Sequence, residues 1–246
     1  MKKLSIFFAI FLLQGNTLFA QVGINSDNSA PDSTAMLDVK STTSGFLPPR
    51  MTTEQRNLIG TPATGLTIYN TTRNCIETYN GSAWVSNTHY IGENYGGGIV
   101  FYVYDDGRHG LIAAAADQST AIQWYNGTNR NTGTTGDGLL AGTMNTAIIV
   151  VAQMADNQNG NFAAKVCSDS SVTVGGVKYD DWYLPSKHEL GLLYLQKAVV
   201  GGFDDGNYWS STESDASNAW ARNFNSGNQI SKIKNATYYV RAIRAF

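Results

Sequence analysis

Turn-forming residues divide this chain into short apolar segments. Asn80-Gly81, Asp105-Asp106-Gly107 and Gly201-Gly202 each end an apolar run after a few residues. An Asn-Gly pair favours a tight hairpin, and consecutive glycines interrupt regular structure. The chain has 25 glycines among 246 residues, and only 15% of its residues are charged. This pattern predicts turn-rich, largely β structure of the kind found at extracellular surfaces.

The first twenty residues have the pattern of a secretory signal peptide. Lys2 and Lys3 precede an apolar run from Leu4 to Leu13, and Ala20 is the small residue at the cleavage point. A membrane-spanning helix needs about 20 apolar residues, and this run is much shorter. We therefore expect a signal peptide over 1–20 and no membrane insertion after cleavage. The mature protein is expected to be secreted to the cell surface or extracellular space, with the periplasm as the other destination.

The net charge argues against one class of partner. The formal charge is −2, and removal of Lys2 and Lys3 leaves 15 basic against 19 acidic residues, or −4. A general nucleic-acid binder needs a basic face. We therefore expect no nucleic-acid partner.

The two cysteines, Cys75 and Cys167, are far apart in sequence. A redox pair or a metal site usually brings cysteines together at short spacing. Export permits a disulfide, but bridging depends on the separation of the two Cα atoms in space. A bridge and two unpaired thiols therefore both remain open.

Residues 22–87 are predicted to form a small, mostly β first module. Leu37 and Val39 alternate with polar residues like a short strand, and Thr52 or Thr53 can cap a brief helix. Apolar residues are sparse in this module, so it would bury little surface by itself. Oligomerisation or docking onto a second module would supply the missing burial.

Three stretches of the first module carry a resemblance. They are Met36–Thr42, Gly45–Thr52 and Gly65–Thr71. They resemble a module of secreted bacterial surface proteins and phage tail-fibre-like proteins. The resemblance implies a stalk or adaptor that carries a head domain, with a homotrimer as its assembly.

Residues 90–246 are predicted to form a second module of α+β class. Ile99–Tyr104 and Leu111–Ala114 predict a β-hairpin. A helix capped by Thr143 or Asn145 and a helical stretch over Phe162–Cys167 follow.

The end of the second module contains a further helix and then strands. Ser186 and Glu189 form a capping box before an apolar run that ends at Gly201-Gly202. The end of the chain is β-rich. The predicted module therefore has a hairpin, two to three helices and a β-rich C-terminal end.

Five motifs of the second module carry a family resemblance. They are Gly96–Tyr102, Gly110–Ala114, Trp182–Leu190, Tyr208–Glu213 and Val240–Arg244. Their order and spacing resemble the Lcl C-terminal domain family, named after the head of a collagen-like bacterial adhesin. The resemblance covers nearly all of 90–246. It implies a C-type-lectin-like fold and a role in adhesion, in one relative to sulfated glycans.

The last strands are predicted to carry the binding site. Loops and solvent-facing positions of a rigid fold vary freely and often bind ligands. Trp209, Trp220 and Phe224 are interpreted as core residues. A second polar cluster at Asn126–Asn131 would flank the same face, and a solvated β-hairpin is the alternative interpretation. The predicted ligand-binding residues are Asn218, Arg222, Asn223, Asn225, Ser226, Asn228 and Ser231.

No catalytic residue and no cofactor are predicted, with calcium as the alternative that stays open. The enzymes related to this fold need a pair of cysteines, and the second module contains only Cys167. Ser210 and Ser211 lack a Gly-x-Ser-x-Gly pattern. Calcium is the natural metal to consider for a lectin-like fold, but paired acids at turns are usually solvated, and no EF-hand loop is present. The acids considered are Asp180-Asp181, Asp204-Asp205 and Glu213 with Asp215.

Two functions fit the sequence, and neither is enzymatic. The first is an adhesin or receptor-binding head that recognises a glycan or a cell-surface protein through its C-terminal strands and loops. The second is a structural component of a surface fibre or tail-fibre-like assembly, with no small-molecule ligand. An exposed aromatic and polar patch around Trp220 and Asn223 would favour the first. A large apolar surface on 22–87 would favour the second.

Overall fold

The computed structural model describes residues 21–246, so the predicted signal peptide over 1–20 lies outside the described chain. The chain divides into two compact units, with the boundary between Arg50 and Met51. The division into modules 22–87 and 90–246 stays a prediction. The described residues mix helices and strands, as expected of an α+β protein. Within this part of the chain, no helix is long and apolar enough to cross a membrane.

The described part of the first unit, residues 21–50, has no core. Strands β1 (Val22–Ile24) and β2 (Leu37–Val39) pair in parallel. The Asp32 carboxylate stabilises the connecting turn by accepting hydrogen bonds from the N–H and hydroxyl of Thr34. None of residues 21–50 is buried. The large apolar side chains exposed here are Val22, Ile24, Met36, Leu37, Val39, Phe46 and Leu47.

A small four-stranded sheet follows in the order β3-β4-β5-β6. The predicted helix cap at Thr52 and the predicted hairpin turn at Asn80-Gly81 are both confirmed. Thr52 and Gln55 form a capping box at the start of α1, and the Asn80 side chain accepts hydrogen bonds from the N–H groups of the turn. The elements are β3 (Arg50–Met51), α1 (Thr53–Asn57), β4 (Thr67–Asn70), β5 (Cys75–Tyr79) and β6 (Trp84–Val85).

The centre of this sheet is an ionic cluster around the buried Glu77. Its carboxylate accepts hydrogen bonds from Arg56 at 2.7 Å, Asn70 at 2.9 Å and Arg73 at 2.9 Å. Burial raises the pKa of Glu77, but the hydrogen bonds and the two positive charges outweigh it and hold the pKa below its usual value. Ile68 is the one buried apolar side chain of these four strands. Ion pairs and hydrogen bonds around Glu77 therefore make up much of the interior of this small sheet.

The rest of the second unit contains two larger sheets and four helices. One sheet has the order β17-β9-β8-β7 and the other β10-β16-β13-β14-β15, in which β13 and β16 run parallel. The predicted β8–β9 hairpin is confirmed. The elements are β7 (Asn94–Tyr95), β8 (Gly98–Tyr104), β9 (His109–Ala113), β10 (Ser119–Gln123), α2 (Ala141–Met154), α3 (Ala163–Ser168), β11 (Val172–Val174), β12 (Val177–Tyr179), α4 (Lys187–Leu195), α5 (Lys197–Val200), β13 (Asn207–Glu213), β14 (Asn218–Asn223), β15 (Gln229–Ile233), β16 (Thr237–Val240) and β17 (Ile243–Ala245).

We call residues 90–246 the head, and its core consists of two clusters of buried side chains. Successive residues of a strand point to opposite sides, so Val100 joins the first cluster and Phe101 the second. The first cluster includes Trp124, Phe162, Cys167, Trp182 and Trp209. The second includes Leu190, Leu193, Tyr208, Phe224 and Ile243.

Both cysteines are free thiols, so the question of a bridge is answered by two unpaired residues. Cys167 is fully buried in the first cluster, and burial raises its pKa well above the usual value. It is a packing residue, which is the ordinary role of a buried cysteine. Cys75 is partly buried in β5.

Two helix boundaries differ from the predictions. Helix α2 begins at Ala141 after Leu140, which has a left-handed backbone and no side-chain cap, so Thr143 and Asn145 are wrong as caps. The helix expected to continue to Gly201 is split at Gln196 into α4 and α5. The head therefore has four helices in place of two to three. The β11–β12 hairpin was not predicted.

Candidate functional site

The β14–β15 hairpin has an inner and an outer face. Ala219 and Ala221 are buried in the core, whereas Trp220 and Arg222 point to the other face and are partly exposed. The strand register places Ser231 opposite Trp220. The outer face therefore combines an aromatic ring, a guanidinium and a hydroxyl.

Helix α4 lies over this outer face. A Cβ atom at Gly191 would lie 3.2 Å from Nη2 of Arg222, so glycine allows the helix to approach the hairpin closely. Between them is a cleft of about 310 Å³. We call this cleft the α4 groove. Its lining residues are Asp137, Lys187, His188, Gly191, Leu192, Leu195, Arg222 and Gln229.

Two cations of the α4 groove lie against aromatic rings. The Lys187 ammonium is 4.9 Å from the ring centroid of Trp220 and 2.7 Å from the Asp137 carboxylate. The Arg222 guanidinium is 5.7 Å from the ring centroid of Tyr194. Cations within about 6 Å of a ring centroid are attracted by the negative face of the ring. The two cations of the groove thus lie beside aromatic rings that are not themselves among its lining residues.

Arg222 is held in place mainly by the hairpin itself. Its guanidinium donates to the Gly227 carbonyl at 2.9 Å and to the Gln229 side chain at 2.7 Å. Its Nε–H is buried and makes no hydrogen bond to the protein. Burial lowers the pKa of Arg222, although arginine stays charged at neutral pH.

The orientation of α4 depends on Glu189, a buried residue that caps two helices. Its carboxylate accepts from the Ser186 N–H at 2.8 Å within the capping box of α4, as predicted. It also accepts from the N–H groups of Leu140 at 2.8 Å and Gly142 at 3.2 Å, which begin α2. The Tyr183 hydroxyl donates to it at 3.1 Å. One carboxylate therefore fixes the starts of α2 and α4 together.

Burial and hydrogen bonding act in opposite directions on Glu189. Burial raises its pKa, and the donors from Ser186, Leu140 and Tyr183 reduce that rise. The site is tightly packed, because a Cβ atom at Gly142 would lie 2.5 Å from a carboxylate oxygen of Glu189. Only glycine fits at this position.

The loop before α2 is attached by its main chain to Glu213 at the end of β13. The buried Glu213 accepts from the N–H of Thr132 at 3.0 Å and of Gly133 at 2.8 Å. The buried Lys234 forms an ion pair with Glu213 and donates to the Arg130 carbonyl at 2.8 Å. The ammonium lies 4.6 Å from the ring centroid of Trp124. This buried pair fastens the start of the loop.

The rest of this loop is also held through its carbonyl groups. Gly136 O accepts from Asn145 at 2.8 Å and Thr212 at 2.9 Å, and Gly138 O accepts from Ser186 at 2.9 Å. The path of the loop therefore depends mainly on its main-chain groups. The Asp137 side chain reaches the α4 groove, where it pairs with Lys187.

Four of the predicted binding residues lie together at the hairpin turn. The Asn223 side chain accepts from the N–H groups of Asn225 at 3.1 Å and Ser226 at 2.8 Å. Asn223 therefore shapes the turn, and Asn225, Ser226 and Asn228 are exposed on it.

The other predicted residues are spread along the hairpin. Arg222 and Ser231 belong to the outer face, but Asn218 is at the opposite end of β14, where it donates to the Asp215 carboxylate at 2.9 Å. At about 3.3 Å per residue, Asn218 and Asn223 are separated by roughly 17 Å. The structure therefore does not gather the seven residues into one site. The second polar cluster, Asn126–Asn131, contacts the C-terminal end of α2 through Asn126.

Of the three tryptophan and phenylalanine residues interpreted as core, Trp209 and Phe224 are fully buried. That interpretation does not hold for Trp220, which lies partly exposed on the outer face. Sequence reasoning missed Asp137, Lys187, His188 and Gln229 as lining residues. A signal was present in α4, where Lys187, Gly191 and Leu195 follow one helical face with a glycine at the centre.

Most of the acids considered as calcium ligands already have protein partners. Asp215 accepts from the N–H groups of Ser217 at 2.8 Å and Asn218 at 2.9 Å. Within 21–246, no group of three or more His, Cys, Asp or Glu side chains could hold a metal ion. Three other acids of this set form ion pairs, namely Glu213 with Lys234, Asp181 with Arg244 and Asp180 with Lys178.

Two family models match the sequence. The Lcl C-terminal domain model matches residues 113–244, which is more than half of the chain. The chain belongs to the Lcl C-terminal domain family. A model of a phage tail like trimerisation region matches residues 23–138, and so extends past residue 87 into the head. Both resemblances drawn from the sequence motifs are confirmed.

These families are adhesin-like and tail-like, and they are not enzyme families; they indicate a surface or adhesin-like protein. No curated protein matches the chain. Among solved structures, a fimbrial protein from Bacteroides ovatus is similar over 65% of this chain, with 16% sequence identity and a TM-score of 0.43. The chain spans 46% of that protein.

Proposed function

We propose that this Lcl-family protein is a secreted adhesin or receptor-binding protein whose head binds acidic glycans in the α4 groove. The observation that carries the proposal is the Lys187 ammonium, which lies 4.9 Å from the centroid of the partly exposed Trp220 ring. His188 and Arg222 line the same cleft. Acidic groups on a sugar would pair with these basic side chains.

The chemistry of the groove suits a carbohydrate. The apolar face of a sugar ring would pack on the partly exposed Trp220 ring beside the groove, and its hydroxyl groups would bond to Gln229 in the groove and to Ser231 opposite Trp220. Sulfate or carboxylate groups form charge-assisted hydrogen bonds with lysine and arginine. A cleft of about 310 Å³ is at the lower end of ligand sites, which suits one sugar unit of a longer chain.

A C-type-lectin-like fold is part of this proposal. It is supported by the five sequence motifs, by membership of the Lcl C-terminal domain family, and by loops that rest on a rigid sheet. Secretion to the cell surface is proposed from the predicted signal peptide over 1–20. Of the seven sequence-predicted residues, Arg222 and Ser231 belong to the proposed contact surface, and Asn225, Ser226 and Asn228 extend it at the turn.

The test is a glycan array probed with residues 21–246 and with two variants, Trp220→Ala and Lys187→Gln. Trp220 and Lys187 are partly exposed, so both variants should fold. We expect saturable binding to sulfated or uronic-acid glycans, weakened at least tenfold by either substitution. Binding should also weaken as salt rises, because the charges are near the surface.

The matched control is Lys178→Gln, which removes an exposed lysine from β12. It should leave binding unchanged. Equal weakening by Lys178→Gln would mean that total charge, and not the α4 groove, attracts the glycan. Binding to a protein ligand alone, or no binding by a folded protein, would contradict the glycan assignment.

A second function is favoured by the first unit. Seven large apolar side chains are exposed within residues 21–50, where no residue is buried. We propose that this surface assembles the chain into a homotrimer that forms part of a surface fibre. Sedimentation equilibrium of residues 21–246 should give a trimer, and Leu37→Asp should dissociate it. A monomeric wild-type protein would contradict the assembly.

A further inference from the structure

Helix α2 exposes an apolar stripe. Met144 is 65% exposed and Val151 is 74% exposed, and Leu140 and Ile148 are also exposed. The helix from Ala141 to Met154 contains no charged residue. A surface helix in a monomeric protein normally presents charged and polar residues to water. The outer face of α2 therefore has the composition of a contact surface.

The inner face of α2 combines polar and apolar side chains, because Ile149 is fully buried in the first cluster next to the buried Asn145, Thr146 and Gln153. Asn145 donates to the Gly136 carbonyl at 2.8 Å, and the Thr146 hydroxyl accepts from the Leu184 N–H at 3.0 Å. The Gln153 side-chain oxygen accepts from the Asn126 N–H at 2.9 Å. These buried residues thus attach α2 to the head, and the apolar side chains of the opposite face remain exposed.

The spacing of the stripe fits helix-to-helix packing. Leu140, Met144, Ile148, Val151 and Ala155 follow one another at intervals of three or four residues. Such intervals put apolar side chains along one seam, as at the a and d positions of a coiled coil. With a rise of about 1.5 Å per residue, the seam is roughly 22 Å long.

The partner that this stripe fits best is a second copy of the same helix. An uncharged apolar seam is complementary to itself and offers nothing that selects a charged partner. The match to a trimerisation region also includes the first part of the head and ends at residue 138, three residues before α2 begins at Ala141. In a cyclic trimer, identical residues of neighbouring chains meet only near the threefold axis.

We propose that the outer face of α2 packs against α2 of neighbouring copies, so that the heads contact one another around the threefold axis. This inference rests on the proposed homotrimer and adds a contact within the head to it. One helix face is small beside the roughly 800 Å² per partner of a standard interface. The α2 contact therefore positions the heads, while the exposed first unit supplies further contact area.

Disulfide trapping of residues 21–246 tests this arrangement. Cys75→Ser removes the partly exposed native thiol, and Cys167 is fully buried. In that background, Val151→Cys should form covalent dimers within the trimer under mild oxidation, because the residue lies near its own copies. Val177→Cys is the matched control. Val177 is also an exposed valine, at 53%, but it lies on the β11–β12 hairpin and should stay monomeric on denaturing gels.

The outcomes separate this inference from the assembly on which it rests. Trimers that cross-link at residue 151 and not at 177 support the α2 contact. Trimers that do not cross-link at 151 overturn the α2 contact and leave the homotrimer standing. A monomeric protein overturns both. As a second measurement, Val151→Glu should raise the dissociation constant of the trimer at least tenfold, and Val177→Glu should not change it.

Discussion

The two units of this protein obtain their stability in different ways. Residues 21–50 contain no buried side chain, although seven of their large apolar side chains are exposed. The head, in contrast, buries five tryptophan and phenylalanine residues completely in its two clusters, along with many aliphatic ones. A short segment without a core cannot offset the conformational entropy lost on folding. The first unit therefore depends on contacts outside its own described residues, and the head does not.

The second unit itself contains two kinds of interior. The β3–β6 sheet is centred on Glu77 with its two arginines, and the head is centred on aromatic rings. A buried charge is stable only while its partners remain. The small sheet is therefore sensitive to pH, whereas the aromatic core is sensitive to lost volume.

The largest effect is expected from Lys234→Ala in the head. The substitution leaves Glu213 buried without its cation, and breaking a buried pair costs about 3–5 kcal/mol. The free energy of unfolding, measured by urea titration with tryptophan fluorescence, should fall by that amount. Lys178→Ala, at an exposed pair, is the control and should have far less effect. An unchanged urea midpoint for Lys234→Ala would mean that the Lys234–Glu213 ion pair is not formed in solution.

The same leucine-to-alanine change should have opposite signatures in the two units. Leu193→Ala opens a cavity in the second cluster and should lower the free energy of unfolding by about 2–5 kcal/mol at any protein concentration. Leu37→Ala removes an exposed side chain, so its effect should appear only as weaker assembly at low concentration. Thermal melts at two concentrations separate these cases. If Leu37→Ala lowered the melting temperature equally at both protein concentrations, the proposed difference between the two units would be wrong.

A smaller effect is expected at the start of α4. Ser186→Ala removes the N-cap oxygen that accepts from the Glu189 N–H, which should cost about 0.5–2 kcal/mol. Ser214→Ala, at an exposed serine, serves as the control. Because α4 lines the groove, glycan affinity should fall together with stability. Retained affinity at the lower stability would show that the groove does not depend on the cap.

The smallest effect is the pH dependence of the β3–β6 sheet. Because the pKa of Glu77 is lowered in the folded protein, its stabilising effect is present at neutral pH and is lost as pH falls through that lowered pKa. A tenfold change in proton affinity corresponds to about 1.4 kcal/mol. Melting temperatures between about pH 3 and pH 7 should fall toward acid, and Glu77→Gln should flatten the curve. An equally steep curve in Glu77→Gln would assign the acid sensitivity to other carboxylates.

Local signals in the sequence predicted the elements whose cause is local. The Thr52–Gln55 and Ser186–Glu189 capping boxes join residues three positions apart, so they are visible in the sequence. The start of α2 was predicted wrongly because its cap is the Glu189 carboxylate, which lies 49 residues beyond Leu140 in sequence. A cap that distant leaves no local pattern.

The candidate site was predicted only in part, for a similar reason. The final strands indicated the β14–β15 hairpin, but the groove beside it is also lined by Lys187 from α4 and Asp137 from a loop. Three separate segments meet there, and their meeting depends on tertiary packing. Asn218 and Asn223 are only five residues apart in sequence, but they lie at opposite ends of an extended strand.

The loop before α2 has a consequence for how this surface changes over evolutionary time. Its path is fixed by main-chain groups of Thr132, Gly133, Gly136 and Gly138, which bond to Glu213 and other residues of the head. Main-chain N–H and C=O groups are common to nearly every amino acid. Exposed side chains of the loop, such as that of Thr135, can thus be exchanged while the loop keeps its course. A single scaffold of this kind can therefore carry surfaces that differ in chemistry and share one shape.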